Sequence, residues 1–318
     1  MQFTTQIPIQ AGNPQLDYSA RVVSLGSCFA VNIGQKLDYF KLRNTTNPFG
    51  ILFHPLAIEK FIGFAVSQKR FTKADIFYHN ERWHCFDAHS DLSEPESGQL
   101  LHQLNLAVAH AYTELQHATH ILITLGTAWA YCSVVSNELV ANCHKVTQKQ
   151  FTKELLSVEV IQQSLKNTLA LIAGVNPEAT VIFTISPVRH IKDGFTQNQW
   201  SKANLISAVH QVLNAEDDLL NTAYFPSYEI MMDELRDYRF YAEDMVHPNL
   251  TAINYIWERF TQVWLSPNAF DTLKAVDAVQ KSIMHRPYNP DGAQYLDFKQ
   301  KLDQKIEVLQ QQYPHISF

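Results

Sequence analysis

No apolar stretch of the 318-residue chain approaches the ~20 residues that a bilayer-crossing helix needs, so no membrane association is expected. Met1 to Gln6 carry neither a basic n-region nor an apolar h-region, and no signal peptide is expected. Cysteine is scarce. Cys28, Cys85, Cys132 and Cys143 show no paired spacing, which points to reduced thiols in a cytoplasmic protein rather than a disulfide framework. No run of Lys or Arg stands out, and 25 basic against 31 acidic side chains leave a formal charge of −6, which disfavours nucleic acid or an anionic membrane as partner. The 14 histidines form no His-x-x-x-His or Cys-x-x-Cys pattern, so scattered histidines are expected and no metal site. The further glycines of G-x-G-x-x-G, the lysine of a phosphate loop and the G-x-S-x-G of an α/β-hydrolase elbow are all missing, and no cofactor is expected. Internal repeats and low-complexity segments are absent as well.

What is present is a globular composition, with 46% hydrophobic, 18% charged and 12% aromatic residues. Its centre is Arg21-Val22-Val23-Ser24-Leu25-Gly26-Ser27-Cys28-Phe29-Ala30. The first half reads as a buried strand, and Phe29, Ile33, Leu37 and Phe40 then recur at helical spacing. Ser27 therefore sits at a strand-to-helix turn, where free N–H groups and the positive end of the helix dipole face whatever approaches its hydroxyl. Two roles suit it there: a nucleophile, or a helix cap.

Farther along, residues 41–46 suggest a second strand running into Asn47-Pro48-Phe49-Gly50, and Pro55 opens a helix through Ala65. A hairpin is predicted from Ile76-Phe77-Tyr78 and Trp83-His84-Cys85-Phe86, then a long helix over 94–116. Two continuous apolar runs, Thr119 to Gly126 and Thr180 to Ile185, read as strands covered on both faces. Between them lie a second hairpin, 130–135 with 138–143, and a helix over 158–173 that stops at Gly174. A helix over 198–213, a short strand near Ala223 and an Asn249-capped helix follow. This alternation predicts a parallel sheet with helices on both faces. Residues 1–265 form that α/β domain, and 266–318 a helical extension that packs on the body or makes a homo-oligomer contact.

Ligands bind outside the carboxyl ends of the strands in such sheets. Ser27, Asn47 to Gly50, Gly126-Thr127-Ala128-Trp129 and Ser186-Pro187-Val188-Arg189-His190 all fall there. So does the loop Asp244-Met245-Val246-His247-Pro248-Asn249. Its three-residue spacing can set the Asp244 carboxylate beside Nδ1 of His247, leaving Nε2 free to take a proton from Ser27; the same pair could merely tie down a loop. Arg189 and His190 could meet an anionic or polyhydroxylated substrate, or could equally pair with the carboxylates of Asp237 or Asp244.

Gly26-Ser27-Cys28-Phe29-Ala30 resembles the signature of the GSCFA family, and Asp244-x-x-His247 with the strand-end Gly126 resembles the blocks of the wider SGNH (GDSL-like) hydrolases. Leu235-Arg236-Asp237-Tyr238-Arg239-Phe240-Tyr241 is similar to the family too, and the likeness spans about Ile7 to Trp264. It implies a flavodoxin-like three-layer sandwich and a serine esterase, with Ser27 as nucleophile, His247 as base and Asp244 as its orienting carboxylate. It suggests short acyl groups on a carbohydrate or other small ester as substrate. The oxyanion would be held by the N–H groups of Ser27 and, by analogy, Gly50. One position departs from SGNH enzymes: Ala128 stands where an oxyanion-binding Asn is expected. Replacement donors are the Thr127 hydroxyl, the Asn47 amide and the His190 ring, with Asn47 favoured unless it only starts the turn. An acyltransferase, or a binding module without turnover, would carry the same marks.

Overall fold

The computed structural model describes residues 4–215 and 219–318; Met1 to Phe3, part of the stretch in which no signal peptide is expected, lie outside the described residues. Strands β1 (Arg21–Gly26), β2 (Arg43–Thr46), β3 (His120–Leu125), β4 (Thr180–Ile185) and β5 (Asn221–Phe225) form one parallel sheet in the order β5-β4-β3-β1-β2. This is the flavodoxin-like order, with its switch point between β1 and β3.

Because successive side chains of a strand point to opposite faces, the apolar runs supply two cores at once. Val23, Leu25, Ile121, Ile123, Val181 and Phe183 face one layer. That layer is built from α2 (Pro55–Val66), α3 (Ser97–His117), α4 (Val158–Ala173) and α5 (Phe195–Leu213), through residues such as Phe61, Leu104, Leu165 and Leu205. Val22, Leu122, Ile182 and Phe225 face the other. There α1 (Cys28–Tyr39) presents Phe29, Ile33 and Leu37, and α6 (Leu250–Trp264) presents Ile256, Phe260 and Trp264. Burying each such side chain stabilises the fold by about 1.5–3 kcal/mol. The three-layer α/β sandwich read from the sequence is the one observed.

The helical extension folds as α7 (Ala269–Met284) and α8 (Ala293–Gln312). Val276, Val279 and Leu309 join the α1/α6 core, the Tyr39 hydroxyl meets Asp277 at 2.9 Å, and Gln280 donates to the Tyr39 carbonyl at 2.8 Å. Leu302 and Ile306 of α8 pack partly buried against that core, whereas Leu296 is exposed.

Two insertions cover the other layer. Phe77–His79 and Arg82–His84 form the first hairpin, with Asn80 and Glu81 both at positive φ in a two-residue turn tighter than the sequence suggests. The second is larger than a hairpin: Trp129–Ser133 pairs with Leu139–Val140 and also with Phe151–Leu155, a strand the sequence reading did not foresee. Phe151, Lys153 and Leu155 alternate with exposed residues, but the charged Lys153 interrupts the apolar period-2 pattern in the sequence.

His54 and His144, both under 5% exposed, fasten these insertions. His54 Nε2 meets the Val140 carbonyl at 3.2 Å while its Nδ1 accepts the Ala57 N–H, so His54 rather than a hydroxylic residue caps α2. His144 Nε2 meets the Cys85 carbonyl at 2.6 Å. Burial pulls both imidazoles down to about 4, the two carbonyls opposing. Since the unfolded chain then binds more protons below about pH 6.5, stability is complete above that value and falls as pH drops toward 4, by about 1.4 kcal/mol per pH unit for each histidine. Urea midpoints between pH 7 and 4.5 should therefore decline steeply, and the decline should shrink when His144 is replaced by Gln.

Candidate active site

The carboxyl ends of the five strands gather the residues singled out in the sequence. Gly26 makes the turn with φ +127, and a Cβ there would lie 2.0 Å from the Thr124 carbonyl oxygen. Gly26→Ala is expected to cost more than about 3 kcal/mol and to lower the melting temperature accordingly. Ser27 follows in extended conformation at the N-cap of α1, yet its hydroxyl makes no capping hydrogen bond. Asn249, by contrast, does cap α6, its Oδ1 accepting the Ala252 N–H at 3.1 Å. Ser27 is fully buried, and its Oγ has no hydrogen-bond partner among the described residues.

Two further buried polar atoms have no partner among the described residues, Asn47 Nδ2 and His190 Nε2, and both side chains reach residues next to Ser27. The Asn47 Oδ1 accepts the Gly26 N–H at 2.8 Å, which fixes the amide beside the serine and leaves its N–H₂ end unused. The turn at Asn47 is held by its main chain instead, Gly50 N–H donating to the Asn47 carbonyl at 2.7 Å. His190 is reached through Gly126. A Cβ built on Gly126 would come within 3.0 Å of Ser27 Cβ and 3.5 Å of His190 Nε2, so only glycine lets these side chains approach each other.

Asp244 and His247 meet as expected, with Oδ2 2.6 Å from Nδ1, while Asp244 Oδ1 accepts the N–H groups of Val246 and His247 at 2.9 and 3.0 Å. The His247 N–H first, then its ring and the Val246 N–H, hold the Asp244 carboxyl down at about 2. The pair is half exposed and makes no hydrogen bond to Ser27 Oγ. Its loop nevertheless stands on the same rim: Arg189 N–H donates to the Val246 carbonyl at 3.1 Å, and the Arg189 guanidinium to that of Met245.

Three expectations need correction. The N–H groups of Ser27 and Gly50 donate to the carbonyls of Thr124 (3.0 Å) and Asn47, so neither is free for an oxyanion in this arrangement. Thr127 Oγ1 is taken up by Ser201 Oγ at 3.1 Å and by the Trp129 N–H. Among the described residues Arg189 pairs with neither Asp237 nor Asp244; it lies 4.3 Å from the Tyr241 ring centroid and binds the main chain of the 244–247 loop.

A polar buried face of α5 was missed. Asn198 Oδ1 accepts the His190 N–H at 2.8 Å, Ser201 Oγ accepts the Ala128 N–H at 2.7 Å, and Lys202 Nζ donates to the carbonyls of Gly126 and Ser186 at 2.7 and 2.8 Å. Polar residues at i, i+3 and i+4 in Asn198, Ser201 and Lys202, in register with the buried Leu205 and Val209, were the available signal.

The electrostatics follow from this burial. Lys202 is drawn down to about 7 by desolvation, which Cys28 and Glu229 oppose. Burial, then the Lys202 charge, pull His190 down to about 3; Asp193 opposes, and His247 and Lys153 add to the fall. Cys28 is pushed up by burial, with Lys202 pulling against it.

A cleft of about 640 Å³ is lined by Phe53, Thr127 and His190 together with Trp129 and Tyr131 of the larger insertion. Lys153 lies over both aromatic rings and pairs with Asp193. Among the described residues, no group of three or more His, Cys, Asp or Glu side chains is arranged to hold a metal ion.

The sequence pattern of the GSCFA family matches residues 21–260, three quarters of the chain and all of the rim just described. The chain belongs to the GSCFA family. A second pattern, the C-terminal domain of GSCFA domain proteins, matches residues 276–318, which includes most of α7 and all of α8. No curated protein matches the chain. The GSCFA pentapeptide thus forms the β1–α1 junction: Gly26 for the turn, Ser27 at the helix end, Cys28 toward Lys202, and Phe29 and Ala30 in the core. No helix among the described residues is long and apolar enough to cross a membrane.

Proposed function

We propose that this GSCFA chain is a serine ester hydrolase that removes a short acyl group from a carbohydrate or other small ester. One observation carries the reading: a serine at a helix N-cap keeps its hydroxyl out of the cap and enclosed beside two polar side-chain atoms that are also unpartnered. Leaving three such atoms unpaired costs about 1–3 kcal/mol each, a burden expected where a substrate is to occupy the space. The resemblance to SGNH hydrolases, which extends to Asp244-x-x-His247, supports the same chemistry.

In this mechanism the 244–247 loop moves in until His247 Nε2 reaches Ser27 Oγ; catalytic hydrogen bonds often tighten only with substrate bound. His247 takes the hydroxyl proton as Oγ attacks the ester carbonyl, and Asp244 stabilises the imidazolium through Nδ1. The oxyanion lies between the Asn47 amide N–H and His190 in its Nε2–H tautomer, a neutral imidazole acting as donor. His247 then gives the proton to the leaving alcohol, which lies in the cleft against Trp129 and Tyr131. Water, activated by the same histidine, releases the acid. The four free cysteines suit a cytoplasmic enzyme.

The complete burial of Ser27 also favours a second reading, acyl transfer, since an enclosed acyl-enzyme is shielded from water. Product analysis with added sugar or alcohol acceptors separates the two. The test of the common step is labelling: a fluorophosphonate should attach to the peptide containing Ser27, and to no peptide in Ser27→Ala. A label mapped to another serine would reject the nucleophile and leave the fold untouched.

A further inference from the structure

We propose that Lys202 is a positioning residue of this site, whose terminal amine ties together the ends of β3 and β4 so that His190 is held against Ser27. Lys202 is 1% exposed, and among the described residues its Nζ bonds to two main-chain carbonyls and to no carboxylate. A buried ammonium without an ionic partner costs stability, so packing alone does not account for it.

The two carbonyls show what it organises. Gly126 is the residue against which Ser27 Cβ and His190 Nε2 both lie. Ser186 roots the segment leading to His190: its Oγ accepts the Val188 N–H at 3.3 Å, and Asn198, one turn before Lys202 on α5, accepts the His190 N–H. One helical face therefore grips both strand ends and the histidine they support. Charge works in the same direction. His190 faces Lys202, Lys153, His247 and Asp193, and a cation enclosed beside it disfavours a second one on the ring. Lys202 itself faces Cys28, Glu229 and the Tyr228 ring, whose centroid is 5.6 Å from Nζ. The His190 ring thus stays neutral, the form that can sit beside a serine and meet a developing negative charge without first losing a proton.

The kinetic part of this proposal rests on the ester-hydrolase reading; the titration part does not. In ring-labelled protein, with the resonance assigned through His190→Gln, His190 should remain neutral down to pH 5. In Lys202→Met its titration should move up by at least one pH unit. For an acetyl ester, kcat of Lys202→Met should fall about 10²-fold with little change in KM, as a misplaced donor predicts. Its folded fraction is measured on the same preparation, because the carbonyls of Gly126 and Ser186 lose their donor when the buried amine goes. A folded Lys202→Met with unchanged kcat and an unmoved His190 titration overturns the proposal. So does a variant whose kcat falls only as its folded fraction falls. If Lys202→Met does not fold, the unaltered protein decides: His190 titrating near ~6.5 overturns the assignment. If no ester is turned over by any form, the hydrolase reading fails while the shift of His190 in Lys202→Met still tests Lys202.

Discussion

Ser27→Ala is expected to lower turnover of an acetyl ester by about 10⁴-fold or more while leaving the melting temperature nearly unchanged. The two halves of this result have separate causes. Removing a nucleophile abolishes the covalent route, and what remains is only binding and electrostatic help to water. The fold, however, loses nothing that the hydroxyl was supplying, because Ser27 Oγ neither caps α1 nor bonds to any other group among the described residues. A capping serine would behave in the opposite way: its loss would cost about 1 kcal/mol of stability and leave chemistry alone. Steady-state kinetics and a thermal melt on the same preparation therefore distinguish the two roles. A Ser27→Ala protein that melts lower and still hydrolyses the ester would return Ser27 to the status of a cap.

The second large effect concerns Asn47. Because Asn47 Oδ1 holds the Gly26 N–H, truncation to alanine would disturb the strand end as well as remove a donor. Asn47→Asp is cleaner: it keeps an oxygen for Gly26 and replaces only the unpartnered Nδ2. If that amide serves the oxyanion, kcat should fall by about 10²–10³, corresponding to ~2.7–4 kcal/mol of transition-state stabilisation, with KM little changed. The introduced carboxylate would also face the developing negative charge, so the loss should lie at the upper end. An Asn47→Asp enzyme that keeps its kcat would leave His190 as the side-chain donor beside Ser27.

The main features of the fold were legible because they depend on local patterns. Two continuous apolar runs announced strands buried on both faces, and the 3.6-residue recurrence after Ser27 announced α1. The Asp244–His247 pair was legible for a related reason, since three residues in a loop closed by Pro248 are few enough for the side chains to meet wherever the loop lies. Short or weakly patterned elements were not: Phe151–Leu155 is a strand because it pairs with Trp129–Ser133, and the charged Lys153 interrupts its own apolar alternation.

By itself, then, the sequence set the parallel α/β class and pointed to the strand ends, with Ser27, Asp244 and His247, as candidates for the site, since each of these follows from spacing along the chain. Tertiary structure alone decided which hydrogen-bonding groups are still available. Backbone N–H groups of Ser27 and Gly50 look free in a sequence, but a donor's availability depends on which acceptor the folded chain brings to it, and here the carbonyls of Thr124 and Asn47 take them. The same logic, run the other way, frees Asn47 Nδ2 and His190 Nε2 and turns Lys202 inward to the carbonyls of Gly126 and Ser186. A lysine on a helix reads as solvated until the sheet it packs against has no carboxylate to offer and two carbonyls that point at it.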